Sequence, residues 1–542
     1  MTSDANTGRS LRIYLLVAFG LSGVSALIFE VVWTRTLTAV MGSSTYALST
    51  LLAAFMAGLS VGGGLGAMAS RRVKDPIRAF AFCELGIGVA GLLVAPLMRS
   101  LTPVYIASYY AFHEAFAAFY VVQFVLAFLL MGVPTTLMGL TFPLAVRLFT
   151  EWRGEAGRQA GRLYAVNTLG GIVGSLAAGF VLVPLIGVTR TAVIAGLLNV
   201  LNAVAILVLH RRPRELLAAV AVAALAVVGA IGLARETVPT FSYGYANRYA
   251  SAEFAARVAG SGEHAEVIFH DEGVDGEVWL LRGAAGGALT LLNGSKLEAG
   301  YMPSFALLAR LPWFTSRLIR PARNALNIGL GSGHTLDALA RTPVETIDSV
   351  EISSGILEAN RRFLSPALFS TPRIRHFHGD GRNHLLVHRE TYDLIVVSPS
   401  WAVEEGSAAL LTDQFFAIAA SHLSPEGVIG VWVDFSLMDD ADMPRVLRAF
   451  AKNFRHVTAW NVPGNDVVLV GSNADRYPDE GAVAALAMKA TPEAEGSLSV
   501  GISDAAPRPP SFDGAYDDDL PVVEFDNARN LVVGQLHGPP PR

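Results

Sequence analysis

Apolar runs of about 20 residues, the length a helix needs to cross the hydrocarbon layer, recur throughout residues 12–235. Seven can be read: Ile13–Val32, Tyr46–Ala69, Ala79–Leu97, Ala117–Val146, Leu163–Leu185, Ala192–Leu209 and Leu216–Leu233. The fourth is overlong and contains Pro134 and Pro143, which predicts a kinked, tilted or partly re-entrant span. Small residues at four-residue spacing (Gly58, Gly62 and Gly66; Gly170 and Gly174; Gly171, Ser175 and Gly179) predict close helix packing. Residues 1–11 form a short tail ahead of a retained first span, because its apolar run leads into Glu30 and Trp33 and not into a cleavage site.

Beyond residue 262 the period changes. Short alternating runs at Glu266–His270, Gly276–Leu281 and Ala288–Leu292, closed by Asn293-Gly294, predict a small antiparallel β-sheet over 262–300. A helix is expected at Met302–Arg310. Strand signals then alternate with helical ones at Asn324–Gly329, Thr346–Glu351, Ile374–His378, Leu394–Val397, Val428–Val433 and Val467–Val470. That alternation predicts an α/β domain of Rossmann-like type over 301–475, with a mainly parallel sheet covered on both faces. Residues 476–542 read as an Ala/Pro/Gly/Ser/Glu-rich linker leading to an acidic closing motif.

Composition agrees with a lipid-embedded half: 52% of the 542 residues are apolar and 16% charged. A net charge of -5 argues against a nucleic-acid partner, and the single cysteine, Cys83, rules out internal disulfides and cysteine metal clusters. No metal is expected. Basic residues fall in alternate loops, at Arg71, Arg72, Lys74 and Arg78, at Arg147, Arg153, Arg158 and Arg162, and at Arg211, Arg212 and Arg214. The positive-inside rule makes these loops and the amino terminus cytoplasmic, so seven crossings leave the second half outside the cytoplasm. Within the spans, Glu30 and Glu84 stand out, since ionisable groups at that depth are costly and face a partner or cavity.

The chemistry concentrates in Leu326-Asn327-Ile328-Gly329-Leu330-Gly331-Ser332-Gly333-His334, a strand running into three alternating glycines and a helix. Such a turn lets a ligand approach backbone amides at the helix start. The next strand ends at Glu351, placing a carboxylate where ribose hydroxyls donate, and the third is followed by Asp380-Gly381-Arg382-Asn383, suited to an adenine edge. Together these strand ends predict one nucleoside pocket of Gly329, Gly331, Gly333, Glu351, Asp380 and Gly381.

These residues, with Leu292-Asn293-Gly294 and Lys296 before them and Tyr392-Asp393-Leu394-Ile395, Leu411-Thr412-Asp413-Gln414-Phe415-Phe416 and Asp517-Asp518-Asp519-Leu520-Pro521 after them, resemble the spermidine synthase (polyamine aminopropyltransferase) family. The similarity is to its bacterial members fused to a multi-span membrane region. It implies a fold like that of S-adenosylmethionine-dependent methyltransferases, a place in the bacterial inner membrane, a homodimer, and a reaction that moves an aminopropyl group from decarboxylated S-adenosylmethionine to a polyamine or other amine. On the substrate side it implies Lys296 and Tyr301. The family carries acids just after the fourth strand, but this chain reads Val397-Ser398-Pro399-Ser400-Trp401, with Ser398 and Trp401 in their place. Neither is an anion at neutral pH; Glu404 and Glu405 follow a few residues on. Two alternatives stay open. One is a methyltransferase using S-adenosylmethionine itself, with Arg310 or His334 meeting its carboxylate. The other is a catalytically silent nucleoside-binding or polyamine-binding domain regulating a transporter formed by the spans.

Overall fold

The computed structural model describes residues 2–41, 45–112, 115–233, 266–273, 276–282, 289–294, 296–299, 322–399, 406–434, 442–462, 466–475, 477 and 500–501. The expected helix Met302–Arg310 and the acidic closing motif lie outside them, as does nearly all of the expected linker.

The amino-terminal half is helical: α1 (Thr2–Met41), α2 (Thr45–Ser70), α3 (Pro76–Ser100), α4 (Thr102–Phe112), α5 (Phe116–Arg153), α6 (Ala156–Ala177), α7 (Val183–Leu209) and α8 (Pro213–Leu233). Among the described residues, five helical runs are long and apolar enough to cross a membrane. The difference from the seven expected has a physical reason. The fifth run, Ala156–Leu209, is 54 residues long, roughly twice what a bilayer requires. It breaks at Gly187, whose φ of 83° and ψ of 168° are not helical. The seventh expected run coincides with α8, which packs on α3 and α7. The two prolines of the fourth run lie inside one continuous α5.

Small residues set the helix contacts. A Cβ at Gly62 would collide with the Thr136 carbonyl of α5, and one at Gly170 or Gly174 with the carbonyls of Gly20 or Val24 on α1. The α2/α5 and α1/α6 backbones therefore touch, which is how helices associate where lipid removes the hydrophobic drive.

The second half holds two sheets. The first has order β1 (Glu266–Gly273), β2 (Gly276–Arg282), β3 (Leu289–Asn293), β4 (Lys296–Ala299), all antiparallel. The second contains β5 (Asn324–Ile328), β6 (Thr346–Glu351), β7 (Ile374–His378), β8 (Tyr392–Val397), β9 (Leu423–Asp434), β10 (His456–Val462), β11 (Asp466–Ser472) and β12 (Val500–Gly501). Its order is β12-β10-β11-β9-β8-β5-β6-β7. Strands β7, β6, β5, β8 and β9 run parallel, while β11, β10 and β12 add antiparallel pairs. The sheet is thus mixed. β10 had no sequence expectation of its own, and β12 falls inside the stretch expected to be linker.

Between the parallel strands lie α9 (His334–Ala340), α10 (Ser354–Ala359), α11 (Gly381–Val387) and α12 (Asp413–Ser421), followed by α13 (Asp442–Asn453) before β10. Both faces are covered: Leu336, Ile347, Ile356 and Val396 belong to one apolar cluster, and Leu326, Ile395, Phe415, Phe416 and Phe450 to the other. Val278, Leu280 and Leu291 of the small sheet join the first cluster, so the two sheets share a core. At the amino-terminal ends of the strands, Asp393 Oδ2 accepts from the amides of Arg323 (2.7 Å) and Asn324 (3.2 Å), and its Oδ1 accepts from Ser424 Oγ at 2.6 Å. Burial pushes this carboxyl up, but the Ser424 hydroxyl and the two amides outweigh it and hold it below the usual carboxylate range.

The small sheet touches one end of the helical bundle. Arg35 Nη1 donates to the Gly273 carbonyl at 2.6 Å, and the Val188 amide, freed by the break at Gly187, donates to Glu272 Oε2. At the other end of α7, Asp75 Oδ2 receives His210 Nε2 (3.0 Å) and Arg212 Nη2 (2.8 Å). There too, Arg147 Nη1 donates to the Val73 carbonyl at 2.8 Å. The arginine-rich loops and the small sheet therefore occupy opposite ends of the bundle, separated by the length of α7 beyond its break, roughly 30 Å.

Candidate active site

Strand order reverses at β5, whose neighbours β6 and β8 lead away in opposite directions. A crevice outside the carboxyl ends of the strands is expected there. Four strand ends are laced together at that point: the Gly379 amide donates to Glu351 O (3.0 Å), the Gly329 amide to Val350 O (2.9 Å) and the Ser398 amide to Ile328 O (2.9 Å). The tips of β7, β6, β5 and β8 are thus fixed side by side.

The loop after β5 turns through three left-handed glycines, Gly329 (φ 88°), Gly331 (φ 50°) and Gly333 (φ 83°). Two are packed. A Cβ at Gly329 would strike the Ser398 carbonyl oxygen, and one at Gly333 would lie 2.6 Å from Ser365 Oγ. Gly331 differs, because a Cβ there would meet nothing within 4 Å among the described residues. The loop is thus anchored on either side and open in the middle, as a backbone that receives a ligand must be.

Glu351 reaches this loop from β6. Its Oε2 accepts from the amides of Leu330 (2.7 Å) and Gly331 (3.4 Å), and its Oε1 from the Ser353 amide at 2.9 Å. The side chain is only 5% exposed. Burial drives its carboxyl above the ordinary value, opposed by the same three amides. Expected to receive ribose hydroxyls, Glu351 here fastens the glycine loop to β6, and one of its donors is the open Gly331.

Asp380 caps α11, with Oδ1 accepting from the Asn383 amide at 2.7 Å. Gly381 presses on the tip of β5, since a Cβ there would collide with Ile328 Cγ2. Ser398 sits at the end of β8 with its Oγ buried and unpartnered among the described residues. His334 is exposed at the start of α9, with Nδ1 at hydrogen-bonding distance from Ser332 Oγ. Gly329, Gly331, Gly333, Glu351, Asp380, Gly381 and Ser398 therefore belong to one cluster of strand ends. Lys296 lies on β4 in register with Asn293. Tyr301, Arg310, Trp401, Glu404 and Glu405 lie outside the described residues.

Two asparagines that carried no sequence-based role also shape the loop. Asn327 is fully buried, donates Nδ2 to Gly329 O at 3.0 Å, and leaves Oδ1 without a partner among the described residues. Asn360, also fully buried, donates Nδ2 to Gly331 O at 2.7 Å and to Ile356 O at 2.9 Å. The available signal was a lone amide inside the apolar strand Ala325-Leu326-Asn327-Ile328. Beneath α11, Asp348 takes a bidentate pair from Arg375 (2.6 and 2.8 Å) and the Tyr392 hydroxyl at 2.9 Å, which steadies β6, β7 and β8 below their tips.

A family model described as the spermine/spermidine synthase domain matches residues 306–463. Among curated proteins, the chain is similar to a polyamine aminopropyltransferase of Corynebacterium efficiens, 25% identical over 442 residues covering 79% of this chain and 78% of the relative. It is also similar to one of Mycobacterium tuberculosis, 25% identical over 459 residues covering 80% of each. Among solved structures, the spermidine synthase of Thermotoga maritima aligns with a TM-score of 0.34 at 17% identity, over 40% of this chain and 83% of that one.

Proposed function

Because the chain belongs to the spermine/spermidine synthase family, we propose that its carboxy-terminal half binds decarboxylated S-adenosylmethionine at the tips of β5 to β8 and transfers the aminopropyl group to an amine. The observation that carries this reading is the lacing of four strand ends beside Gly331, which is open among the described residues, with the buried acid Glu351 on β6 and the Ser398 hydroxyl at the end of β8. In it, the glycine loop and Glu351 hold the ribose and Asp380 with Gly381 the adenine. For the ribose hydroxyls to reach Glu351, they take the place of the Leu330 and Gly331 amides.

In the reaction, an amine lone pair attacks the methylene carbon beside the sulfonium. The carbon–sulfur bond breaks with its electrons going to sulfur, methylthioadenosine leaves neutral, and the new ammonium gives up a proton. Where the family places an acid for that proton, this chain presents Ser398. A positioned general base is worth about 100- to 10,000-fold in rate, so transfer is slow, or the proton passes to water or to the acids that follow, Glu404 and Glu405. A serine in the place of the family's acid also favours a second reading, a binding domain that does not turn over and regulates the spans.

Separately from the transferase reading, the charge pattern puts this half on the extracytoplasmic side, a location where such a nucleoside is scarce and which favours the binding-only reading; the arginines of alternate loops and the small sheet meeting the opposite end of the bundle support it. A topology reporter fused after Arg542 checks this, and activity on the cytoplasmic side overturns it.

Function is tested by incubating the full chain with decarboxylated S-adenosylmethionine and putrescine, and separately with S-adenosylmethionine. Methylthioadenosine signals aminopropyl transfer, S-adenosylhomocysteine signals methylation, and tight binding without either product supports the silent domain. Failure to bind any of these nucleosides removes the proposal.

A further inference from the structure

The helical bundle contains a carboxyl that the transferase reading does not use. Glu84 lies near the middle of the Pro76–Val94 run of α3 and is fully buried. Its Oε2 accepts from Asn202 Nδ2 at 3.4 Å, and its Oε1 has no partner among the described residues. Asn202 is itself fixed: its amide also donates to Ala18 O (3.2 Å), and its Oδ1 accepts from the Tyr14 hydroxyl (3.2 Å). One turn away, Ser25 Oγ donates to Asn199 Oδ1 at 2.9 Å, and Asn199 Nδ2 donates to Ala195 O. A file of polar side chains from α1, α3 and α7 thus crosses a part of the bundle that is otherwise apolar.

A buried carboxylate with one oxygen unsatisfied is costly, and in lipid the cost is larger, so the site holds a cation or a proton. Packing chooses between them. A Cβ at Gly88, one turn along α3, would lie 2.7 Å from the Gly196 carbonyl of α7, so these two backbones are in contact beside Glu84. Backbones this close favour the smaller occupant, a proton, over an ammonium group or a metal ion with its own ligands. The titratable groups facing Glu84 are Tyr14 on α1 and Cys83 beside it on α3. From α7 come amides, while Arg78 of α3 pairs with Glu215 of α8 and Arg147 of α5 is held at the Ser70 and Val73 carbonyls. None of the ion pairs found among the described residues includes Glu84.

We propose that Glu84 is a proton-binding site of the membrane domain, loading and releasing its proton through the Tyr14–Asn202 side of the file. The reading is independent of the transferase site. A carboxyl buried purely for packing would stay protonated and out of reach, so the test asks for exchange. The full-length protein in lipid nanodiscs is treated with dicyclohexylcarbodiimide, which reacts with protonated carboxyls in apolar surroundings, and is mapped by peptide mass spectrometry. In parallel, infrared difference spectra are recorded between mildly acidic and mildly alkaline pH. We expect an adduct on Glu84 that declines as pH rises, and a protonated-carboxyl band that titrates in the wild type and is missing in Glu84→Gln. That variant keeps the shape of the protonated side chain and so preserves the fold, while Glu30→Gln retains both signals. Absence of an adduct on Glu84, or a titrating band unchanged in Glu84→Gln, overturns the proposal.

Discussion

Substituting the two glycines Gly329 and Gly331 separates the fold of the loop from its capacity to bind. In Gly329→Ala, a side chain is forced onto a φ of 88°, which costs about 1–2 kcal/mol for an L-residue. Its Cβ also falls inside 3.0 Å of the Ser398 carbonyl oxygen. That oxygen belongs to backbone tied to β5 by the Ser398 amide at 2.9 Å and cannot swing away. Overpacking of this kind adds about 1–3 kcal/mol. The sum, about 2–5 kcal/mol, corresponds to a fall of roughly 5–15 °C in the melting temperature of a domain of this size. Gly331 has a φ of 50° and, among the described residues, open space where its Cβ would go. Asparagine tolerates that conformation, so Gly331→Asn costs less than about 1 kcal/mol. The side chain nevertheless stands where the nucleoside is placed, and binding weakens by at least about tenfold, or 1.4 kcal/mol. Differential scanning fluorimetry and calorimetric titration with methylthioadenosine read the two effects. Gly331→Asn binding as tightly as the wild type, or Gly329→Ala melting with it, would refute the reasoning.

Other outcomes follow from the same geometry. Ser398→Asp restores an anion at the tip of β8 and raises aminopropyl transfer to putrescine by about 100-fold or more if the missing base is what slows it; a rate no faster than the wild type points to the silent reading. Asp393→Asn loses charge-assisted hydrogen bonds worth about 1–3 kcal/mol and lowers the melting temperature at neutral pH. Since the folded-state pKa of Asp393 is depressed, its contribution is complete above the unfolded value of about 3.9 and disappears as pH falls through the lower folded value. The variant should therefore show a shallower loss of stability on acidification. Glu272→Gln replaces the charged cap of Val188 with a neutral one, costing about 1 kcal/mol, and faster hydrogen exchange around Gly187 and Val188 would register it.

Much of this arrangement is legible in the sequence because it repeats at short range. The strands Thr346–Glu351 and Ile374–His378 match their expected bounds residue for residue, and the glycine loop is visible as three glycines between a strand and a helix. β10 was less legible, since His456–Val462 mixes polar and aromatic residues and owes its conformation to pairing with β11 on one side and β12 on the other. The roles of single side chains were the least legible. Asp393 reads as part of a family motif, yet it pins the opposite end of the strands from the site. Arg35, near the end of the first span, reaches Gly273, 238 residues away. The break at Gly187, hidden in one long apolar run, is stabilised by a glutamate from the small sheet. Contacts across such separations leave no periodicity to read.

The central claim is that a single nucleoside pocket lies over the tips of β5 to β8. The most direct measurement is photolabelling of the full-length protein with an azidoadenosine analogue of methylthioadenosine, followed by peptide mapping. We expect labels confined to the Gly329–Gly333 loop, the end of β6 at Glu351 and the Gly379–Asn383 segment, all suppressed by excess decarboxylated S-adenosylmethionine. Labels on other surfaces, or labelling that the competitor leaves unchanged, would contradict it.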